Sequence, residues 1–297
     1  MGKHVYLIMA HKNWGQLKVL LSLLDNRRND IFLHVDKKKY PPQNVIEEIA
    51  GTLQDSELYF VDSINVNWGS YSMIAAELIL LKAAIQVDHY DYYHFISGQD
   101  LPLKTQKEIH SYFDKHQGEE FIEYADKSWM ERVNERCRYY WFFQAHIGRE
   151  NRRVLQKLER AGIRLQRILH INRIRGLVFS GGPNWFSITD EFARLVCANS
   201  KKIKKQFRFT QCADECFLQM LSVKTGFDKK THQIIHGKKS GNMRFVDWDR
   251  GSPYTFRVDD FEELIHSEKL FARKFDMTVD AEIIEKIYAH LSEENSR

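Results

Sequence analysis

An α/β fold on a parallel sheet, with helices over both faces, is what this sequence predicts. Two observations carry it. Short apolar runs alternate with longer helical patterns from Val5 to Ile96, and alternation of this kind builds βαβ units rather than hairpins. No stretch rich in Pro, Gly or Ser marks a boundary, so the 297 residues read as one composite domain, 1–297.

Taken in order, Val5–Ala10 reads as a buried strand and Leu17–Leu24 as an apolar helix. Ile31–Val35 is the second strand, closed by Asp36-Lys37-Lys38-Lys39, and Asn44–Thr52 is a helix. Leu58–Phe60 gives a third strand, followed by the turn Asn67-Trp68-Gly69-Ser70-Tyr71-Ser72. Met73–Gln86 is a long helix, Ala-, Leu- and Ile-rich with Glu77 and Lys82 on it, and Tyr92–Ile96 is the next strand. The second half is less regular. It offers strands at Glu120–Tyr124, Trp185–Ile188 and Met243–Val246. A basic helical stretch runs from Arg149 to about Gly176, and further helices are expected at Glu191–Ala198, Asp214–Val223 and Ala281–His290.

Composition narrows the function. A hydrophobic fraction of 43% with 13% aromatic residues is ample for a packed core. The formal charge of +4 is too mild for a nucleic-acid-binding field, so no nucleic-acid partner is expected. The four cysteines, Cys137, Cys197, Cys212 and Cys216, form neither a disulfide framework nor Cys-x-x-Cys pairs; buried thiols are the expectation. No charged leader precedes the first strand, and no apolar run reaches membrane-spanning length. The expectation is a cytoplasmic protein, at most peripheral on the membrane.

The most informative local feature is Ser97-Gly98-Gln99-Asp100, which ends the Tyr92–Ile96 strand and opens the turn Leu101-Pro102-Leu103-Lys104-Thr105. Open α/β sheets bind ligands at this carboxyl edge. The corner carries one aspartate where a metal-clamping Asp-x-Asp would need two. An Asp-x-Asp does occur later, at Asp247-Trp248-Asp249, and is the competing metal reading.

Six segments carry a resemblance: His34-Val35-Asp36-Lys37-Lys38; Trp68-Gly69-Ser70-Tyr71-Ser72 with Ala76-Glu77-Leu78; Ser97 to Thr105; Gly182-x-x-Trp185-Phe186; Asp214-Glu215-x-Phe217; and Ala272-Arg273-Lys274-Phe275-Asp276. In this order they resemble the core-2/I-branching β-1,6-N-acetylglucosaminyltransferase family, which includes the peptide O-xylosyltransferases. The chain lacks the anchor, stem and cysteine-rich pattern of the animal enzymes and is most similar to a compact bacterial-type member. The resemblance implies a GT-A-like nucleotide-sugar-binding fold with a mixed, mostly parallel sheet. About 1–115 would form the nucleotide-binding half, and about 116–297 the acceptor and catalytic half. It implies inverting transfer from a UDP-sugar, with N-acetylglucosamine the leading donor sugar and xylose the alternative, and no metal or other cofactor.

The resemblance also implies roles. Glu215 maps to the general base. Arg250 and Lys274 map to the pair of cations on the diphosphate, with Arg257 and Arg273 as competitors. Asp36 maps to the uridine-binding aspartate, with His11 at the same edge, Trp68 on the pocket floor and Asp100 facing the donor sugar. Glu123, Gly182 and Trp185 map to the acceptor side, where the match around Arg132, Arg136 and Arg138 is poor. The partners implied are a UDP-sugar and a glycan or lipid-linked glycan. Residues 149–175 hold nine basic and two acidic residues interleaved with Leu and Ile, which reads as a solvated helix face or a peripheral contact with anionic lipid. A catalytically silent sugar-nucleotide- or glycan-binding protein is the alternative from another class.

Overall fold

The structure, a computed structural model, describes residues 2–232 and 241–295, apart from the side chains of Arg132 and Asn295. The described residues form eight strands: β1 (His4–Ala10), β2 (Asn29–Val35), β3 (Glu57–Phe60), β4 (Tyr92–Ser97), β5 (Asp100–Pro102), β6 (Phe186–Thr189), β7 (Arg244–Val246) and β8 (Phe271–Arg273). The main sheet runs β3-β2-β1-β4-β6. Its first four strands are parallel, and β6 is antiparallel to β4. This is the expected mixed, mostly parallel α/β sheet. A second sheet, β5-β8-β7, joins the corner after β4 to the C-terminal part of the chain.

Successive side chains of a strand point to opposite faces, and β1 divides its residues accordingly. Tyr6, Ile8 and Ala10 enter one core, with Leu17, Leu20 and Leu21 of helix Trp14–Leu24 and Ile283, Ile284 and Ile287 of helix Glu282–Asn295. Val5 and Leu7 enter the other, with Ile74, Leu78 and Leu81 of helix Ser72–Val87 and Phe217 and Leu221 of helix Phe217–Thr225. Both faces of the sheet are therefore dry, which is why its strands read as continuous apolar runs.

Three expected elements come out differently. Glu120–Tyr124 forms only single bridges, Glu120 to Thr231 and Phe121 to Ser187. The basic helix covers Arg153–Ile168, shorter than expected. The helix expected at Asp214–Val223 is broken: a 3-10 turn at Ala213–Glu215 precedes helix Phe217–Thr225. Left-handed backbone at Cys212 (φ 46°) and extended φ at Cys216 (−136°) isolate that turn from the helix. Strands β5 and β8 were not expected, being three residues each. Helix Gln106–Lys115 was not expected either, although Thr105 and Glu108 close its N-terminus as a capping box.

Candidate functional site

Parallel strands β1, β2 and β4 all end at one edge, and the chain places polar residues there. After β2, the Asp36 carboxylate accepts from the amides of Lys38 (3.0 Å) and Val66 (3.3 Å). After β1, His11 lies among Lys12, Lys274 and Arg149; partial burial and these cations lower its pKa against the pull of Asp36. After β4, Asp100 turns back on the Ser97 amide (2.8 Å) and hydroxyl (3.1 Å). It lies 3.4 Å from Arg273 and is 1% exposed. The corner that the sequence singles out is thus an internal brace: its carboxylate is engaged within the protein. Arg273 in turn stacks on Trp185, 3.8 Å from the ring centroid, and Trp185 stacks on Phe95.

Cations gather at this edge. The Lys12 ammonium donates to Asp276 at 2.5 Å, and Asn13 donates to the same carboxylate. Lys274 follows β8. Partial burial and the neighbouring Lys12, Arg273 and Arg149 lower its pKa, with Asp276 opposing. Arg149 lies over Trp68, 5.0 Å from the ring centroid. Among the described residues neither Lys274 nor Arg149 has a carboxylate within salt-bridge distance. Arg250 differs. Its guanidinium is shared among Asp247, Asp260 (2.6 Å) and Glu263 (3.6 Å) and stacks on Tyr254. Asp247 also accepts from the amides of Asp249 and Arg250, so the Asp-Trp-Asp segment is a self-bonded turn.

Glu215 is positioned by two backbone links. The Cys212 amide donates to Gly69 O at 2.8 Å, which ties the acidic turn to the Trp68-Gly69 turn. Gly69 has φ +70°, and a Cβ there would lie 2.9 Å from the Gln144 amide nitrogen and 3.2 Å from Cys212 Sγ. The Gly182 amide donates to Glu215 O at 2.9 Å. A Cβ on Gly182 would lie 2.3 Å from Glu123 O. Glu123, Gly182 and Glu215, distant in sequence, are therefore neighbours. Gln219 closes the group, donating to the carbonyls of Glu123 (3.2 Å) and Pro183 (2.9 Å).

The Glu215 carboxylate is 35% exposed and accepts from Arg136 Nη1 at 2.5 Å. Burial raises its pKa and Arg136 holds it down. Behind it, Asp214 is pushed up to about 7 by burial and by Glu215. Glu77, fully buried on the apolar Ser72–Val87 helix, is raised well above the carboxylate range by burial and then by Asp214. Among the described residues, both Glu77 oxygens and Asp214 Oδ1 lack hydrogen-bond partners. An ionisable carboxylate at the mouth is thus backed by two held toward the neutral form. Next to Gly182, burial raises the pKa of Glu123, opposed by Lys269.

Arg136 and Arg149 are the functional candidates that the sequence reading passed over. Arg136 sits in the charge-rich run Glu131–Arg138 with no spacing to single it out, and Arg149 looks like the first charge of a basic stretch. Glu77 did carry a signal, as an acid within an apolar helix. All four cysteines are buried and free. A separate cluster, His116, Glu119 and His232, has ligand atoms within 4.8 Å of one another. It lies by Tyr92, at the start of β4, where the Tyr92 hydroxyl donates to His116 O and Glu119 O. That is the opposite edge of the sheet from Asp36 and Lys274.

Comparison with known proteins bears on this site. The model of the family described as "Core-2/I-Branching enzyme" matches residues 5–268. Xylosyltransferase 2 of Pan troglodytes is 24% identical over 312 residues, covering 96% of this chain and 33% of that protein. Xylosyltransferase 2 of Homo sapiens is 24% identical over 320 residues, with the same coverage. The chain therefore spans about a third of the length of the curated relatives it matches. Among solved structures, apo mouse xyloside xylosyltransferase 1 matches at 11% identity and a TM-score of 0.41, covering 92% of this chain and 97% of that one. With a family match from the first strand to the approach of β8, the chain belongs to the core-2/I-branching enzyme family, a family of glycosyltransferases.

Proposed function

We propose that the protein is an inverting glycosyltransferase that moves a sugar from a UDP-sugar to a hydroxyl of a glycan acceptor. In this reading Glu215 takes the proton of the acceptor hydroxyl as its oxygen bonds to the anomeric carbon. The bond from that carbon to the diphosphate breaks, and its electron pair leaves with UDP. The observation that carries the reading is the Glu215 environment. The carboxylate is reachable from solvent, raised by burial, and kept ionisable by Arg136, which is the compromise a general base near neutral pH requires.

The diphosphate falls to the cations at the sheet edge. Among the described residues Lys274 and Arg149 are without carboxylate partners, and Arg149 is among the charges that lower the Lys274 pKa; charge of this kind stabilises a leaving phosphate without a metal ion. Arg250 would have to leave three carboxylates to take part, so Arg149 replaces it as partner to Lys274. Asp36 and His11 suit the uridine, Trp68 the pocket floor, and Glu123, Gly182 and Trp185 the acceptor side. The donor sugar is N-acetylglucosamine by the resemblance and xylose by the relatives' names. The acceptor is a glycan, free or lipid-linked.

Turnover with UDP-N-acetylglucosamine and with UDP-xylose, read as UDP release with and without EDTA, tests this. Chelator is expected to leave UDP binding and turnover unchanged. Glu215→Gln is expected to keep UDP binding while transfer falls about a hundredfold or more. Restoration of EDTA-treated protein by Mn²⁺ would overturn the metal-free reading, and normal turnover in Glu215→Gln would remove the base.

A further inference from the structure

Helix Arg153–Ile168 has three faces instead of two. At about 100° per residue, Leu155, Glu159, Ile163 and Gln166 share one side, and this side packs on the protein. The Glu159 carboxylate accepts from the amides of Phe142 and Phe143, and Gln166 bonds both backbone groups of Tyr140. A second side carries Arg153, Lys157, Arg160, Arg164 and Arg167. The third carries Val154, Leu158, Leu165 and Ile168, spaced 4, 7 and 3 residues apart, with Leu169 just beyond. This stripe is bare: Val154 and Ile168 are 72% exposed, Leu169 62% and Leu165 56%. A helix in a soluble protein normally buries its one apolar stripe. Here the buried face is partly polar and an aliphatic stripe faces outward.

We propose that this helix is a membrane-docking surface that lies in the headgroup region of a bilayer bearing anionic lipid. Charge complementarity selects the occupant. Among the described residues, Arg153, Lys157, Arg160 and Arg164 have no carboxylate partner, whereas Arg167 pairs with Glu135. An aliphatic stripe bordered by unpaired basic residues matches acyl chains and anionic headgroups together. Leu177 and Val178, further along the chain, are exposed as well. Beside these runs helix Ser200–Phe207 with Lys201, Lys202, Lys204 and Lys205, and Arg173 ties the two segments by bonding Gln206 O. Single aromatic or aliphatic residues on a surface are ordinary; a continuous stripe with a charged border is a built feature.

The placement matters for the site. The helix rests on residues 140–143, and its Arg167 holds Glu135, the neighbour of Arg136, which clasps Glu215. A docked helix would bring the acceptor side of Glu215 to the lipid surface, where a lipid-linked acceptor presents its sugar.

Flotation of the full chain with vesicles tests the inference independently of transfer. Vesicles of phosphatidylcholine alone are compared with vesicles containing about one-third phosphatidylglycerol. The wild type is expected to float with the anionic vesicles. Binding should fall at least about tenfold in Leu165→Glu/Ile168→Glu and in Arg160→Glu/Arg164→Glu, with the thermal midpoint and UDP binding unchanged, because all four side chains are exposed. Absence of flotation in the wild type overturns the proposal. So does flotation that neither pair of substitutions weakens. A dimer in solution abolished by Leu165→Glu/Ile168→Glu, without flotation, would assign the stripe to a second copy of the chain. Binding to RNA but not to vesicles would assign the face to a polyanion instead.

Discussion

Arg136 and Glu215 form an ion pair that does two opposing things to one carboxylate. Burial makes Glu215 a stronger base, and Arg136 draws it back toward the ionised form. The sign of a substitution follows. Arg136→Met removes the charge that favours the carboxylate, so the Glu215 pKa rises, by about one unit or more for loss of a close opposite charge. Less of the base is then ionised at a given pH. The acidic limb of the kcat/KM–pH profile is expected to move up by a similar amount, with activity recovering as pH rises; a scaled-down profile with an unmoved limb would refute the pairing as the cause. Glu215 was legible in the sequence only through the Asp-Glu pair and the company of the other motifs. Arg136 was not legible, because a cation 79 residues away along the chain meets its partner through the fold and not through any local period.

At the level of elements, the site depends on backbone contacts that side-chain patterns do not reveal. Periodicity around Asp214 reads as one helix, yet Cys212 and Cys216 break it so that Glu215 rides a separate turn. Strand-like residues at 120–124 pair only singly, which leaves the Glu123 carbonyl to Gln219 and brings its backbone against Gly182. The regular strands β1, β2 and β4 were legible to within two residues at each end because buried parallel strands leave unbroken apolar runs. Short β5 and β8, set by pairing partners distant in sequence, left no such run. Gly182→Ala probes the irregular part. Its new Cβ would meet backbone at 2.3 Å, which cannot move as a side-chain tip does. The cost is expected at about 1–3 kcal/mol, with transfer lost more completely than UDP binding, as the Gly182–Glu215 link separates. Unchanged turnover and unfolding midpoint would show that this close approach is dispensable.

Across the whole molecule, Arg244 fastens the small sheet to the large one. It is buried, and its guanidinium donates to Ser187 Oγ (2.9 Å) and Phe186 O (2.8 Å) on β6 and to Asn242 O. It also faces the ring of Phe271 on β8. Burial lowers its pKa to about 10, against the pull of Asp100 and Tyr6. A buried charge of this kind is tolerated where acceptors surround it, and removing it strands them. Arg244→Met is expected to lower stability by about 3 kcal/mol or more, read from the urea midpoint, and to weaken UDP binding through the displaced β8–Lys274 segment. Retained stability would mean that the two sheets hold together by apolar packing alone.

The β5–β8 pairing sets Asp100 opposite Arg273, and the backbone amide of Phe275 bonds Gln99 O. The sheet edge is therefore finished by residues that leave the ribosome more than half a chain after its first strands. A growing polypeptide can form β1 to β4 early, but its edge has no Lys274, and Asp100 has no Arg273, until β8 has been made. Long-range closure of this kind is slow and late. The edge that carries Lys274 is therefore closed only by pairing across a long stretch of chain, and a polypeptide cut before β8 cannot close it.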